Sequence, residues 1–194
     1  YQELSEKLAQ VIKGLRAGPA LQDYECGPLI NRPQKERVEG FLKRARQDGV
    51  EFIAKGSIVE DAPEGGNYVV PCMVGSVPSQ HSLAQEEVFG PVLSVIPFKD
   101  DDEAIEIAND VEFGLAAGVW TSDIRRAIEI PKRIQAGTVW VNTYRAVSYL
   151  APFGGYKKSG LGRESGQAAI EEWTQTKAVW ISTATETPNP FVMR

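Results

Sequence analysis

The stretch VLSVIPFKDDDEAIEIANDVEFGLAAGVWTSDIRRAIEIPKRIQAGTVWVN occupies residues 92–142 and decides the fold. Its β-branched and apolar runs predict strands, and its amphipathic runs predict helices. The strands are predicted at 92–98, 116–120 and 138–142, and the helices at 101–109 and 124–135. Strands that alternate with helices of about ten residues are typical of crossover units in a mostly parallel sheet. We therefore predict an α/β protein with three layers, in which helices cover both faces of a mostly parallel sheet.

The first of these two helices begins with a favourable capping pattern, whereas the second contains a proline that disfavours a regular helix. Asp100, with Glu103 three residues later, has the outline of a capping box, in which each carboxylate accepts from a free backbone N–H at the helix start. Pro131 lies inside the second helix, where proline removes a backbone hydrogen bond and costs roughly 3 kcal/mol. We expect the second helix to be kinked or broken at Pro131.

The flanking sequence extends the same α/β pattern in both directions. Leu4, Leu8, Val11 and Leu15 recur at spacings of three and four, which predicts a one-sided helix. The flanking elements are helices at 1–15, 33–47 and 164–173, and strands at 51–54, 68–74 and 177–182. The last strand has no following element to cover its edge, and exposed edges pair readily with another chain. Residues 184–194 are polar and contain two prolines, which predicts a disordered tail.

The composition excludes several classes of protein. A formal net charge of −5 argues against a nucleic-acid binder, which needs a basic surface for the phosphates. The longest apolar runs are too short to cross a bilayer, and no secretory signal is visible. Two cysteines do not make a disulfide framework, so we expect a cytoplasmic protein. Because the chain starts with Tyr1 inside a predicted helix, we expect it to be a segment of a longer protein.

Glu86-Glu87-Val88-Phe89-Gly90-Pro91-Val92 resembles the E-E-[IV]-F-G-P-V signature of the aldehyde dehydrogenase superfamily. Three further blocks resemble the family in the family's order. They are Ala108-Asn109 with Gly114 to Thr121, Gly137 to Asn142, and Pro152 to Gly160. The resemblance covers residues 1–182, and four ordered blocks are a far more specific signal than any one of them.

The resemblance implies a two-stage oxidation of an aldehyde with NAD or NADP. In the family a cysteine thiolate attacks the carbonyl, the thiohemiacetal passes a hydride to the nicotinamide, and water hydrolyses the thioester. The family's nucleophile and dinucleotide-binding fold lie upstream of the part that this chain resembles. Neither Cys26 nor Cys72 stands in the family's G-Q-x-C context, so we interpret both as packing residues. We therefore expect the chain to lack the nucleophile and to be inactive alone.

The resemblance also assigns cofactor-side residues. Glu87 matches the family glutamate that accepts hydrogen bonds from the nicotinamide ribose hydroxyls, and Phe89 matches the aromatic residue near the nicotinamide. Glu164 matches a second glutamate implicated in proton relay. The alternatives are structural: a carboxylate beside a core phenylalanine for the first pair, and for Glu164 an acid in the first turn of a helix.

The loop at residues 143–151 matches the family's substrate-tunnel loop. By the same resemblance, Arg145, Val147 and Phe153 face the tail of the aldehyde. An unpaired arginine beside an aliphatic tail is unfavourable, whereas its planar fork suits a carboxylate. One hypothesis is therefore an aldehyde with an anionic or strongly polar far end. The alternative is that Arg145 points to solvent or pairs with an acid on a neighbouring subunit.

The resemblance divides the chain into three parts. Residues 1–175 correspond to the C-terminal part of the catalytic domain, 176–183 to an oligomerisation strand, and 184–194 to the tail. It implies a homo-oligomer, a dimer or tetramer in the full-length enzyme, with no nucleic-acid or membrane partner. A non-catalytic binding or assembly module of the same fold is the alternative from a different class, and a semialdehyde or acyl-phosphate reductase is a further one.

Two other features have structural interpretations. Gly160-Leu161-Gly162-Arg163-Glu164-Ser165-Gly166 imitates a dinucleotide-binding fingerprint, but a poor strand precedes it, so we interpret it as a turn that leads into a helix. His81 has no partner at metal-ligand spacing, so we interpret it as a surface residue and predict no metal site.

Overall fold

A computed structural model describes residues 1–186 and 191 of the chain. The α-helices are α1 (Gln2–Gly14), α2 (Arg32–Gln47), α3 (Ser82–Gln85), α4 (Asp101–Asn109) and α5 (Ile124–Arg133). The strands are β1 (Arg16–Ala17), β2 (Glu51–Lys55), β3 (Ser57–Ile58), β4 (Cys72–Gly75), β5 (Val92–Ser94), β6 (Phe113–Gly114), β7 (Ala116–Val119), β8 (Thr138–Val141) and β9 (Tyr156–Lys157). Short 3-10 helices occupy Ala20–Gln22 and Gln167–Trp173.

The strands form small sheets rather than one continuous sheet. Parallel pairing joins β1 to β3, β4 to β5 and β7 to β8, whereas β2 pairs with β4 and β6 with β9 in antiparallel fashion. The α/β class and the predominance of parallel pairs are confirmed. The predicted single sheet is divided because its strands are short. Strand β5 ends at Ser94 instead of Phe98, and Pro97 has no N–H to donate to a neighbouring strand.

The core lies between α2 and β4. Asn31 starts α2 by accepting a hydrogen bond from the backbone N–H of Gln34, at 2.9 Å. The buried face of the helix carries Val38, Phe41, Leu42 and Ala45, which pack against buried residues around β4, including Val74. A second cluster places Ala9 and Ile12 of α1 against Ala54 and Met73. These two clusters contain most of the fully buried apolar side chains.

The α4–β7–α5–β8 segment follows the predicted order but is more open. Asp100 caps α4 through the N–H of Glu103, as predicted, but the Glu103 carboxylate accepts from the N–H of Lys99 instead of Asp100. Beyond Val88, Ile105 is the one buried apolar side chain among the described residues. Ile124 and Ile128 of α5 are exposed, so α5 covers its side of the β7–β8 pair incompletely.

Two local expectations about helices differ from the structure. Helix α5 runs through Pro131 to Arg133, so the helix is not broken at Pro131. Asp123 stabilises its first turn by accepting from the N–H groups of Arg125 and Arg126. The predicted helix at 164–173 is a 3-10 helix that starts only at Gln167, after Gly166 with a φ of 62°. A left-handed residue of this kind ends the extended backbone before the helix.

His81 is not a surface residue. Its side chain is only 11% exposed, and its Nε2 lies 3.3 Å from a carboxylate oxygen of Asp48. Its Nδ1 accepts from the N–H of Leu83 at 3.0 Å, so the imidazole caps α3. The residue is therefore structural, because both ring nitrogens have partners within the fold.

The C-terminal segment forms no strand within the described residues. The structure assigns no strand to residues 177–182, since a strand requires a hydrogen-bonded neighbour and none pairs with them among the described residues. Pairing with another subunit therefore stays a prediction. Of the predicted disordered tail, residues 187–190 and 192–194 lie outside the described residues.

Candidate active site

The loop that carries the E-E-V-F-G-P-V motif is anchored to α2 by side chains. The guanidinium of Arg37 donates to the carbonyl oxygens of Glu87 and Val88, at 2.6 and 3.0 Å. The amide of Gln34 donates to the carbonyl oxygens of Val88 and Phe89, both at 3.0 Å. Backbone atoms that would otherwise be free are thus fixed to a helix that is itself part of the core.

Close packing adds a second constraint on the same loop. A Cβ on Gly90 would lie 2.7 Å from Cγ2 of Val38, which is fully buried in α2, so only glycine fits at this contact. The preceding residue, Phe89, has a φ of 53°, which is uncommon for a residue other than glycine. The backbone turns here, while Val88 is buried and anchors the loop.

The result is that Glu87 and Phe89 project away from the core. Phe89 is 72% exposed, and Glu87 is also exposed. In residues 1–186 and 191, the Glu87 carboxylate has no hydrogen bond or ion pair, whereas Arg37 lies 3.7 Å from Glu86. An unoccupied carboxylate can accept from both hydroxyls of a ribose, and a neighbouring aromatic face can pack against a flat ring. Their chemistry is compatible with a nicotinamide nucleoside, and the cofactor role of Glu87 and Phe89 stays a prediction.

The predicted substrate loop is anchored by an indole. Nε1 of Trp140 in β8 donates to the carbonyl oxygen of Ala146 at 2.7 Å. Tyr144 packs edge-on against the Trp140 ring, with 5.6 Å between the ring centroids. The Arg145 guanidinium lies 5.5 Å from the Tyr144 ring centroid, and Arg145 has a φ of 56°. The loop thus projects Arg145 from a left-handed backbone position between two anchored neighbours.

Two neighbouring cavities use this loop. The larger, of about 640 Å³, is lined by Arg145, Val147 and Phe153 together with Trp140, Tyr144 and residues 115–118. The second, of about 320 Å³, is also lined by Val147 and Phe153, and contains Glu164. The three predicted substrate residues therefore do share one cavity wall, and Val147 and Phe153 also line the cavity that contains Glu164.

Glu164 is held by the backbone of Phe153. Their N–H and C=O groups exchange two hydrogen bonds of 2.7 Å, so the two residues form an isolated antiparallel bridge. Glu164 is not in the first turn of a helix, because the 3-10 helix starts three residues later. The proposed helix-dipole role therefore has no geometric basis, and the proton-relay role remains a prediction.

The structure does not bring all the predicted site residues together. Glu87 and Phe89 line neither of the cavities that contain Arg145 and Glu164. The cofactor-side loop follows α3 and is fixed to α2, whereas the substrate-side loop follows β8. Each group is preorganised by its own local anchor.

Neither cysteine has the environment of a nucleophile. Cys72 is buried in the α2–β4 core, and burial raises the pKa of its thiol although Lys55 and Arg46 act in the opposite direction. Burial and the nearby Glu25 carboxylate raise the pKa of Cys26. A raised pKa keeps the thiol protonated, and the thiolate is the nucleophilic form. Cys72 therefore packs in the core and Cys26 is partly buried, while the absence of the nucleophile from this chain stays a prediction.

Several residues that support the site are missing from the sequence prediction. Gln34, Arg37 and Trp140 act through long-range hydrogen bonds, which no local pattern reveals. Asn142 is a similar case, because its side-chain amide exchanges two 2.8 Å hydrogen bonds with the backbone of Thr121 and so extends the β7–β8 pairing. An asparagine directly after a strand was the available signal, although its partner could not be named.

Comparison with known proteins identifies the family. The model of the aldehyde dehydrogenase family matches residues 1–179. The human 4-trimethylaminobutyraldehyde dehydrogenase is 42% identical over 183 residues, which are 92% of this chain and 37% of that enzyme. The chain therefore belongs to the aldehyde dehydrogenase family, and it spans little more than a third of the length of this relative.

Solved structures have the same fold. An NAD⁺ complex of aldehyde dehydrogenase from Bacillus cereus superposes with a TM-score of 0.85 and 37% sequence identity, over 95% of this chain and 37% of that one. A mutant of aldehyde dehydrogenase C from Pseudomonas syringae, in complex with NAD⁺ and octanal, has a TM-score of 0.83 and 37% identity over 92% of this chain and 37% of that one.

The described residues contain no helix of the length and hydrophobicity that a bilayer span requires.

Proposed function

We propose that this chain forms the C-terminal part of an NAD- or NADP-dependent aldehyde dehydrogenase, which oxidises an aldehyde to a carboxylic acid. The observation that supports this best is the pair of exposed side chains, Glu87 and Phe89, on a loop that Gln34 and Arg37 fix to α2. The relatives include enzymes solved with NAD⁺ bound, which supports the same use of this loop here.

Each group of residues has a defined task in this proposal. Glu87 accepts from ribose hydroxyls, and Phe89 limits the positions open to the nicotinamide ring. The bound dinucleotide supplies the hydride acceptor. Val147 and Phe153 give the aldehyde an apolar wall, and Glu164 moves a proton near the reacting carbonyl. Preorganisation matters because misplacing a reacting group by about 1 Å can cost about a hundredfold in rate.

The thiol nucleophile is proposed to lie outside these 194 residues. The burial of Cys72 and the raised pKa values of both cysteines support that assignment. The 194-residue chain alone should therefore form no NADH or NADPH from an aldehyde. The full-length protein that contains it should do so, in the stoichiometry of one dinucleotide reduced per acid formed.

The experiment follows reduction of the dinucleotide by its absorbance, with neutral, anionic and cationic aldehydes of similar chain length as substrates. Activity of the full-length protein on at least one aldehyde is expected, together with release of the acid. Its absence with all of them would favour the binding or assembly module instead. Turnover by the 194-residue chain would contradict the assignment of the nucleophile.

The enzyme is further proposed to be a cytoplasmic homo-oligomer. Val179, Trp180 and Ile181 are 71%, 95% and 84% exposed, which is unusual for three consecutive large apolar side chains. An exposed apolar segment of this kind can be covered if it adds as a strand to the sheet edge of a partner subunit.

A further inference from the structure

The larger cavity beside the substrate loop has an unusual distribution of charge. Its wall is formed by aliphatic, glycine and aromatic residues, and Arg145 is the one charged residue on it. An apolar wall serves the carbon chain of an aldehyde, whereas the solvent-exposed Arg145 supplies the one cationic group beside that wall. The cavity is therefore chemically divided into a long apolar part and one cationic position.

Arg145 is not neutralised within the chain. In the part of the chain that the structure describes, no carboxylate lies within ion-pair distance of its guanidinium. Arg126 and Arg133, in contrast, pair with Asp101 and Asp102 at 2.8 and 2.7 Å. An unpaired arginine alone is ordinary at a surface, and Arg125 is a second example. The combination with an apolar cavity is what distinguishes Arg145.

The cation is also held in place. Its backbone has a φ of 56°, its guanidinium lies over the Tyr144 ring, and the next residue, Ala146, is hydrogen-bonded to the Trp140 indole. A guanidinium stacked on an aromatic ring keeps its edge free to donate two parallel hydrogen bonds. The ring contact thus restrains the exposed Arg145 side chain and leaves its N–H donors available to a ligand.

Arg145 and Glu164 together would orient a substrate that carries a carboxylate. Glu164 lines a second cavity, which shares Val147 and Phe153 with the one that Arg145 lines. A carboxylate group is attracted to Arg145 and repelled by Glu164, so it would select one orientation of the substrate. Its aldehyde end would then be directed past the apolar residues and away from Arg145.

From these observations we propose that the substrate is an aldehyde with a carboxylate at its far end, which the Arg145 guanidinium binds bidentately. The inference rests on the proposed aldehyde dehydrogenase function and narrows its substrate class. It also distinguishes this chain from its human relative, whose name specifies an aldehyde with a trimethylammonium end. A cation at that end would face the like charge of Arg145 and should be disfavoured.

The first test is binding, which requires no turnover. Glutaric acid monoamide carries a carboxylate and a neutral amide in place of the aldehyde. Titration into the full-length protein should shift the Arg145 guanidinium NMR signal and saturate, whereas glutaramide, which lacks the charge, should not. In Arg145→Gln the affinity for the monoamide should fall tenfold or more, and in Arg125→Gln it should not change. No saturable shift in wild type would overturn the proposal even if aldehydes are oxidised.

The second test is specificity. For a five-carbon semialdehyde, Arg145→Gln should reduce kcat/KM tenfold or more, and Arg145→Lys should restore only part of it, because lysine keeps the charge but lacks the fork. For pentanal the loss should be much smaller, so the preference of the enzyme for the semialdehyde over pentanal should fall in both variants. An equal loss on both substrates, or none on either, would overturn the inference while leaving aldehyde oxidation intact. No oxidation of any aldehyde by wild type would contradict the proposed function, and the binding titration would then decide the role of Arg145 separately.

Discussion

The Arg37 guanidinium donates to the carbonyl oxygen of Glu87 at 2.6 Å, so a side chain of α2 fixes the backbone from which the Glu87 carboxylate projects. Arg37 also lies over the Phe41 ring, at 4.7 Å from the guanidinium carbon to the ring centroid. Arg44 makes the same ring contact at 4.6 Å but no hydrogen bond to the loop. Arg44 can therefore serve as a control residue for the contact between Arg37 and the loop.

We expect Arg37→Ala to loosen the loop at 86–90 more than Arg44→Ala does. Both changes remove a cation from the Phe41 ring, but only the first removes charge-assisted hydrogen bonds to backbone carbonyls. The difference in unfolding free energy should be about 1 kcal/mol, since a hydrogen bond to a charged group contributes about 1.5–3 kcal/mol and Arg37 is partly exposed. Urea denaturation measures the difference, and faster amide exchange confined to the loop locates it. Equal effects of the two changes would contradict the anchoring role.

Packing between Gly90 and Val38 leads to a second prediction. Gly90→Ala should destabilise the fold by about 1–3 kcal/mol, because the new methyl group would overlap Cγ2 of Val38. In the double variant with Val38→Ala, the total loss should be smaller than the sum of the two single losses. Gly27→Ala is the matched control, since nothing lies within 4 Å of its added Cβ. Strict additivity in urea denaturation would show that the two residues are not in contact.

Glu87 itself should matter for the cofactor and little for the fold. In the full-length enzyme, Glu87→Gln replaces a carboxylate that accepts from two hydroxyls by an amide that accepts with one oxygen, so single-turnover hydride transfer should slow about tenfold or more. Stability should be nearly unchanged, because the side chain is exposed and has no hydrogen bond or ion pair among the described residues. Unchanged hydride transfer would show that the carboxylate is merely structural.

The longer elements and their order could be predicted from the sequence, because helix and strand periods are local, whereas α3 and the two-residue strands β1, β3, β6 and β9 are too short to show a period. Asp100 caps α4 and Asn31 caps α2, and both signals lie within three residues of their partners. The strand at 177–182 and the helix at 164 could not be predicted in this way. The first depends on an edge supplied by another strand, and the second is displaced by the bridge between Phe153 and Glu164.

The same difference between local signals and long-range contacts applies to the candidate site. The ordered family motifs predict Glu87, Phe89 and the substrate-loop residues, which their chemistry alone would not single out. The anchoring roles of Arg37 and Trp140 could not be predicted, because each contact depends on how the chain folds in three dimensions. Arg37 is separated from Glu87 by 50 positions in the chain, so no spacing rule could connect them.

Lowering the pH should remove the contribution of the ion pair between Arg16 and Glu25 to the stability of the fold. The Arg16 guanidinium, followed by the Arg16 backbone N–H, lowers the pKa of Glu25 from its ordinary value of 4.5 to about 2. A lowered folded-state pKa stabilises the fold above the unfolded-state pKa, and this contribution is lost as the pH falls from about 4.5 to about 2. Glu25→Gln should therefore flatten the acid limb of a plot of urea midpoint against pH. Parallel acid limbs for the two proteins would contradict the prediction.

The exposed C-terminal segment gives the last prediction. Trp180 is 95% exposed with Val179 and Ile181 beside it, and the segment has no strand partner among the described residues. If 177–182 adds to the sheet of a second subunit, the chain should associate weakly through it, because backbone pairing and apolar burial would act together. Analytical ultracentrifugation should detect dimers of the full chain at high concentration and mainly monomers after removal of 177–194. Removal of 183–194 alone is the control and should leave association unchanged, since it keeps the whole segment. Identical mass distributions for all three chains would refute a role for the strand, whereas loss of association in the control would assign it to the tail.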